Sequence, residues 1–172
     1  VSCGISEVRI TGGEPLVRHG CAGFVGMLAR TSGISDISLT TNGLLLPRFA
    51  DELRRNGLRR VNVSIDSLDA ARYAALTRGA RLEDALAGLD AAFAAGFEPV
   101  KLNALLLEGV EDELDAFVAL TLERPVHVRF IEFMPLDRRL VVDGRMAPAP
   151  RVLELLRARH VLEPVDGPYG RG

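Results

Sequence analysis

Short apolar segments alternate with segments of helical periodicity along most of this chain. Five segments have the length and β-branched content of strands, and each is followed by a segment whose apolar residues recur at helical spacing. This alternation is typical of βα units and predicts a parallel sheet with helices on at least one face. The predicted strands are 7–12, 36–42, 59–66, 99–107 and 127–134; the predicted helices are 21–31, 47–57, 82–96, 111–123 and 150–160; and 135–149 is predicted to be a loop.

The predicted strands have one apolar face and one polar face. Alternate residues of a strand share a face, so Arg9, Thr11 and Gly13 lie opposite Val8 and Ile10. Parallel strands buried on both faces are usually continuous apolar runs, so this polar face must meet water, a ligand or a barrel lumen. The polar positions of the next three strands are Ser38, Thr40 and Asn42; Asn62, Ser64 and Asp66; and Lys101 and Asn103.

Two architectures fit this pattern: an open sheet with one solvated face, or part of a βα barrel whose polar interior is a binding site. A complete eight-stranded barrel needs about 250 residues, and this chain has 172. We therefore predict the α/β class, with a partial (βα) TIM-type barrel in a single domain over residues 1–172. Chemistry in such barrels lies at the carboxyl ends of the strands, where GGEP, TTNG, SIDS and Met134-Pro135 occur.

Composition excludes several classes of partner. A net charge of −2 gives no overall basic footprint for nucleic acid, and no apolar run of about 18 residues predicts a membrane span. The segment VSCGISEVRI lacks the features of a signal peptide. Cys3 and Cys21 form neither a disulfide framework nor a CxxC pair, so we interpret them as thiols of a cytoplasmic protein and assign no metal site.

Five motifs in order resemble one enzyme family. These are ITGGEPLVR, SLTTNG, VNVSIDSLD, GFEPVKLN and VRFIEFMP, and they are similar to the GTP 3′,8-cyclases of molybdenum cofactor biosynthesis. That family belongs to the radical S-adenosylmethionine (SAM) enzymes and has a partial (βα)6 barrel. GGEP alone would indicate only the superfamily, whereas the five motifs in this order and spacing are far more specific.

The resemblance implies a set of ligand contacts. The implied SAM contacts are Gly13, Glu14, Ser64 and Met134, and the implied GTP contacts are Arg9, Thr40 and Lys101. The strand pattern agrees in part, because Arg9, Thr40, Ser64 and Lys101 all lie on the polar face. Two cations in a largely neutral lining suit a polyphosphate. No residue is assigned a catalytic role.

Each assignment has a structural alternative. Gly12 and Gly13 could serve only a tight turn, and Ser64 could satisfy a neighbouring polar group. Met134 could fill the core, as methionines commonly do. Arg129 and Glu132 could form a structural pair, and we give them no functional role.

The cofactors implied by the resemblance are SAM and [4Fe–4S] clusters. In the family, a cluster held by a CxxxCxxC loop binds SAM, whose 5′-deoxyadenosyl radical takes the 3′ hydrogen of GTP before the ribose carbon attacks C8. This sequence has no such loop, and Cys3 and Cys21 match neither cluster's ligands. We therefore expect an internal fragment of a cyclase that lacks its first strand, is inactive alone and is prone to aggregate along residues 7–12.

The resemblance also names partners, and two alternatives stay open. It implies GTP as the substrate, cyclic pyranopterin synthase as the next enzyme of the pathway and a homodimer as an oligomeric form. One alternative is another radical SAM enzyme, such as a peptide-modifying one, although Arg9 and Lys101 argue against it. The other is a cluster-free module that only binds nucleotides.

Overall fold

The computed structural model describes residues 3–132 and 146–165. Five strands form one sheet in the order β1-β2-β3-β4-β5, and each neighbouring pair is parallel. The strands are β1 (Glu7–Ile10), β2 (Asp36–Thr41), β3 (Arg60–Ser64), β4 (Val100–Leu105) and β5 (Val126–Ile131); the helices are α1 (Cys21–Ala29), α2 (Leu46–Arg55), α3 (Ala70–Leu76), α4 (Leu82–Ala94), α5 (Leu114–Glu123) and α6 (Ala149–Arg159); and short 3-10 helices cover Pro15–Val17 and Val110–Asp112.

The five predicted strands and five predicted helices are confirmed, with bounds that differ by a few residues. Helix α3 was not predicted from the sequence, because it has only seven residues and buries one large side chain, Tyr73. A cap marks its start, because the Asp69 carboxylate accepts a hydrogen bond from the Arg72 amide at 2.7 Å. The predicted end of the fifth strand at 133–134 lies outside the described residues.

The apolar face of the sheet forms one core with the helices. Strand residues such as Leu39, Val61 and Leu102 are fully buried there, together with Leu53 of α2 and Leu89 of α4. Helices α1, α4 and α5 contact the sheet, and α2 contacts both α1 and α4. Because all of this apolar surface faces the helices, the opposite face is left for polar side chains.

The described sheet is open, with β1 and β5 at its edges. Among the described residues, each of these two strands has one neighbouring strand, so the sheet does not close on itself. A parallel, helix-backed sheet that does not close agrees with the predicted partial barrel. The prediction of a single domain over 1–172 stays a prediction.

Two glycines bring α4 against the turn that follows β2. Gly43, the glycine of TTNG, has a φ of +85°, which side chains rarely adopt. A Cβ at Gly88 of α4 would lie only 2.1 Å from the carbonyl oxygen of Gly43. The helix therefore supports this turn through direct backbone contact.

No helix in residues 3–132 and 146–165 is long and apolar enough to cross a membrane.

Candidate functional site

The register of the sheet arranges the polar face in rows. Residues paired across parallel strands lie side by side and point to the same face. Arg9 pairs with Ser38, Thr40 with Asn62, Asn62 with Lys101, and Ser64 with Asn103. From the amino to the carboxyl ends of the strands, the rows are Arg9, Ser38 and Arg60; then Thr40, Asn62, Lys101 and His127; then Ser64, Asn103 and Arg129.

The middle row contains two of the three predicted GTP contacts. Thr40 and Lys101 lie two strands apart, which is about 10 Å at the usual strand spacing. Asn62 stands between them and donates a hydrogen bond from Nδ2 to the Thr40 hydroxyl at 3.4 Å. Asn62 and Lys101 are each only 4% exposed. Arg9, the third predicted contact, lies one row lower on the edge strand and is exposed.

Positive charge accumulates on this face. Burial lowers the pKa of Lys101, and the positive charges of Arg129, Arg60 and Arg9 lower it further, in that order of effect. These three guanidinium groups therefore share an electrostatic environment with the lysine. Arg60 forms an ion pair with Asp36. Lys101 is also the single lysine of the sequence, and this face suits a polyanion.

Arg129 is a candidate site residue that the sequence analysis left without a role. It pairs with Asn103 in the sheet and faces the same side as Lys101. Its proposed structural partner, Glu132, accepts a hydrogen bond at 2.9 Å from the amide of Ala149, which begins α6. The alternation of His127 and Arg129 in β5 was the signal that could have placed Arg129 on the polar face.

Glu14 of the GGEP motif connects β1 to the end of β2. Its Oε1 accepts hydrogen bonds from the Thr41 hydroxyl at 2.7 Å and the Leu16 amide at 3.0 Å. Its Oε2 accepts one from the Asn42 amide at 2.7 Å. Both carboxylate oxygens therefore hold the two turns together. A direct contact between Glu14 and SAM stays a prediction.

The two glycines of the same motif differ in role. Gly12 has a φ of +146°, a conformation that strongly favours glycine. Gly13 is exposed, and a Cβ built on it meets nothing within 4 Å. Packing inside the described structure therefore does not demand a glycine at Gly13, which leaves its backbone open to approach by a ligand.

An unsatisfied acceptor lies beside Ser64. Asn103 is its neighbour in the register, and the buried Oδ1 of Asn103 has no hydrogen-bond partner among the described residues. Burying an acceptor without a donor is costly, so buried acceptors are normally paired with a protein group, a water or a ligand. A ligand hydroxyl or amine between Ser64 and Asn103 would supply the donor. Met134, the fourth predicted SAM contact, lies outside the described residues.

A cleft reaches the same face from the amino ends of the strands. It has a volume of about 930 Å³, and its lining includes Glu7, Asp36, Arg60, Lys101 and His127. GGEP and SIDS lie at the other ends of the strands, so the cleft is not the predicted SAM site. It does leave Lys101 and His127 beside open space.

The described residues do not supply ligands for a metal cluster. Residues 3–132 and 146–165 contain no group of three or more His, Cys, Asp or Glu side chains that could hold a metal ion. Cys3 is exposed and Cys21 is buried, and burial raises the pKa of the Cys21 thiol. An iron–sulfur cluster needs about four thiolate ligands, which Cys3 and Cys21 cannot supply.

Comparison with known proteins supports the resemblance found in the sequence. Curated relatives include the GTP 3′,8-cyclase of Heliobacterium modesticaldum, 55% identical over 159 residues, covering 92% of this chain and 48% of the relative. The GTP 3′,8-cyclase of Pelotomaculum thermopropionicum is 47% identical over 172 residues, covering 98% of this chain and 53% of the relative. The chain thus spans about half the length of the curated relatives it matches.

Solved structures show the same fold. A radical SAM methyltransferase from Sphaerobacter thermophilus superimposes with a TM-score of 0.67 at 22% identity, over 91% of this chain and 49% of that chain. A domain of pyruvate-formate lyase-activating enzyme from Bacteroides vulgatus superimposes with a TM-score of 0.65 at 20% identity, over 87% of this chain and 90% of that chain. Residues 1–120 match the family model of the radical SAM superfamily. With its open parallel sheet and its GGEP turn after β1, this chain belongs to the radical SAM superfamily.

Proposed function

We propose that the complete gene product is a GTP 3′,8-cyclase and that this chain forms much of the wall around SAM and GTP. The observation that carries the proposal is the polar sheet face, which presents Arg9, Thr40 and Lys101 together. High identity to relatives that bear this name supports the choice of substrate.

Arg9, Thr40 and Lys101 bind GTP in this proposal, and Arg129 joins them. Burial lowers the pKa of Lys101, and repulsion from Arg129, Arg60 and Arg9 lowers it further, so the ammonium form is disfavoured. A triphosphate removes that repulsion and accepts charge-assisted hydrogen bonds from the ammonium and guanidinium groups. The side chains thereby hold the nucleotide against the sheet, which fixes the ribose relative to the carboxyl ends of the strands.

Gly13, Glu14, Ser64 and Met134 bind SAM in this proposal. Gly13 offers unobstructed backbone, and Glu14 keeps the turn in place through its bonds to β2. Ser64 and the unsatisfied Oδ1 of Asn103 form a polar pair suited to a ribose hydroxyl. With a [4Fe–4S] cluster, whose ligands are not Cys3 or Cys21, bound SAM would supply a radical that abstracts hydrogen.

Three further predictions rest on the resemblance to the family alone. They are a homodimer, transfer of the product to cyclic pyranopterin synthase, and a cytoplasmic location.

The proposal is tested with the complete gene product after anaerobic reconstitution with iron and sulfide. We expect 5′-deoxyadenosine, together with a cyclised nucleotide that has the mass of GTP, when SAM, GTP and a reductant are present. Formation of 5′-deoxyadenosine that does not depend on GTP would indicate a different radical SAM enzyme. Binding of GTP without any cluster absorbance would indicate a nucleotide-binding module.

A pair of variants tests the role of the polar face. Lys101→Met removes the buried cation, and Arg59→Met removes an exposed cation that immediately precedes β3. Only Lys101→Met should lower the affinity for GTP. We expect a loss of about ten- to a hundredfold, as for a lost hydrogen bond to a charged group. Equal effects of the two variants would argue against a GTP site on this face.

A further inference from the structure

A buried carboxylate ties together the loops that follow β3 and β4. Glu113, just before α5, is only 9% exposed. It accepts hydrogen bonds from the Ser67 hydroxyl at 2.8 Å, the Leu68 amide at 2.6 Å and the Asp69 amide at 3.0 Å. Those three donors are consecutive residues of the loop between β3 and α3. One side chain therefore sets the conformation of a loop 45 residues away in sequence.

Arg72 completes the connection from the other side. Its Nε lies 3.3 Å from Glu113 Oε1 in an ion pair. Its Nη2 donates hydrogen bonds to the carbonyl groups of Leu107 and Glu108, which follow β4. Glu113 thus contacts the loop after β3, and Arg72 of α3 contacts both Glu113 and the segment after β4, so a shift of either loop would break charge-assisted contacts.

The backbone after β4 is shaped to admit Arg72. Gly109 has a φ of +83°, and a Cβ at this position would lie 2.0 Å from Arg72 Nη1. Any side chain there would both strain the backbone and displace the guanidinium. The position of Arg72 therefore depends on a glycine as well as on two partners.

The connected loop begins directly after Ser64. Within it, the Ile65 amide donates to the Asn103 carbonyl at 2.9 Å, and Asp66 Oδ1 accepts from the Leu105 amide at 3.0 Å. The segment from Ser64 onward is therefore fixed at its start by β4 and at its end by Glu113. Asn103 lies on the other side of the same junction, and its buried Oδ1 has no hydrogen-bond partner within residues 3–132 and 146–165.

We propose that Glu113 and Arg72 are positioning residues for SAM: they hold the Ser64–Asp69 loop in the conformation that binds the cofactor, without contacting it. This inference rests on the proposed function, which makes Ser64 a SAM contact. A buried ion pair is seldom needed for stability, since apolar replacements of similar volume are often as stable. The carboxylate instead satisfies two loop amides and a hydroxyl, which an apolar side chain would leave unpaired.

The test compares Glu113→Gln with Asp112→Asn in the complete, reconstituted gene product. Both substitutions remove one negative charge from the same segment, but Asp112 is exposed. We expect Glu113→Gln to accelerate hydrogen exchange at the Leu68 and Asp69 amides. We also expect it to lower the affinity for SAM about tenfold, because a displaced loop no longer holds its binding groups in position. GTP affinity should not change, and Asp112→Asn should leave all three quantities as in the wild type.

The outcomes separate the inference from the function on which it rests. If Glu113→Gln leaves the SAM affinity unchanged, or lowers the SAM and GTP affinities equally, the positioning role is overturned and the proposed function still stands. A wild-type protein that binds no SAM would overturn the proposed function and this inference with it. If Glu113→Gln does not fold, Ser67→Ala removes a single donor, and it should weaken SAM by a smaller factor while GTP affinity stays constant.

Discussion

Glu14 Oε2 accepts a hydrogen bond from the Asn42 amide at 2.7 Å, and this contact joins the turn after β1 to the turn after β2. The same carboxylate also binds the Thr41 hydroxyl, so GGEP and TTNG form one unit although 28 residues separate Glu14 from Asn42. The conformation of each motif depends on the other.

Glu14→Gln should therefore destabilise the protein as well as impair SAM binding. Glutamine can replace one acceptor but places an amide group against a donor, which costs about 1–3 kcal/mol of unfolding free energy. Urea unfolding of the complete gene product measures this loss. Glu52→Gln, at an exposed position of α2, is the control and should have little effect. A Glu14→Gln protein as stable as the wild type would show that these bonds contribute nothing.

Gly88→Ala should disturb the TTNG turn from the helical side. The new Cβ would lie 2.1 Å from the Gly43 carbonyl oxygen, so α4 must move away. We expect a loss of about 1–3 kcal/mol, as for other overpacked sites. Gly23→Ala in α1 is the matched control: it meets nothing within 4 Å, so it should stabilise that helix by about 0.5–1 kcal/mol. Thermal unfolding of both variants measures these changes in stability. A Gly88→Ala variant as stable as the wild type would mean that α4 can move away from Gly43 without cost.

Asp66→Asn should raise stability near neutral pH and not in acid. Burial raises the pKa of Asp66 above its ordinary 3.8, although the bond from the Leu105 amide opposes the shift. A raised pKa means that the folded state binds a proton more tightly, so stability is lost as pH rises through the folded-state pKa. Asparagine keeps the acceptor for Leu105 and removes this loss.

The check on Asp66 is urea unfolding at two pH values. The gain from Asp66→Asn should be present at about pH 7 and vanish below about pH 3, where the aspartate is protonated in both states. Asp112→Asn, at an exposed site, should show no such difference. A gain of the same size at both pH values would refute the explanation.

Lys101→Met should stabilise the ligand-free protein while lowering its affinity for GTP. Burial and the neighbouring arginines lower the pKa of Lys101 below 10.5, so the folded state disfavours the ammonium form. The resulting penalty is present at neutral pH and is relieved as pH rises through the lowered pKa. Methionine has a similar length without the charge.

Measuring the unfolding free energy of ligand-free Lys101→Met between neutral and alkaline pH tests this prediction. The variant should be more stable than the wild type at about pH 7, and the advantage should shrink as pH approaches the ordinary lysine pKa. Arg59→Met, at an exposed position, serves as the control. A less stable Lys101→Met would show that other contacts of Lys101 outweigh its burial.

Patterns along the sequence predicted the order of the five strands, five of the six described α-helices and the two faces of the sheet. Alternation in segments such as 36–42 and 99–107 places Thr40 and Lys101 on a polar face, because successive side chains of a strand point to opposite sides. The five motifs were sufficient to indicate the family, because each is a contiguous stretch of sequence and their order along the chain is specific. These signals are local, so no knowledge of packing was needed.

Which residues contact one another depends on the three-dimensional packing of the strands and loops. The register sets Asn62 between Thr40 and Lys101, and the packing of the loops brings Glu113 to Leu68 and Asp69. Glu14 connects two motifs for the same reason. Such pairings depend on how strands align and how loops fold over their ends, and these are long-range contacts that periodicity along the chain does not encode.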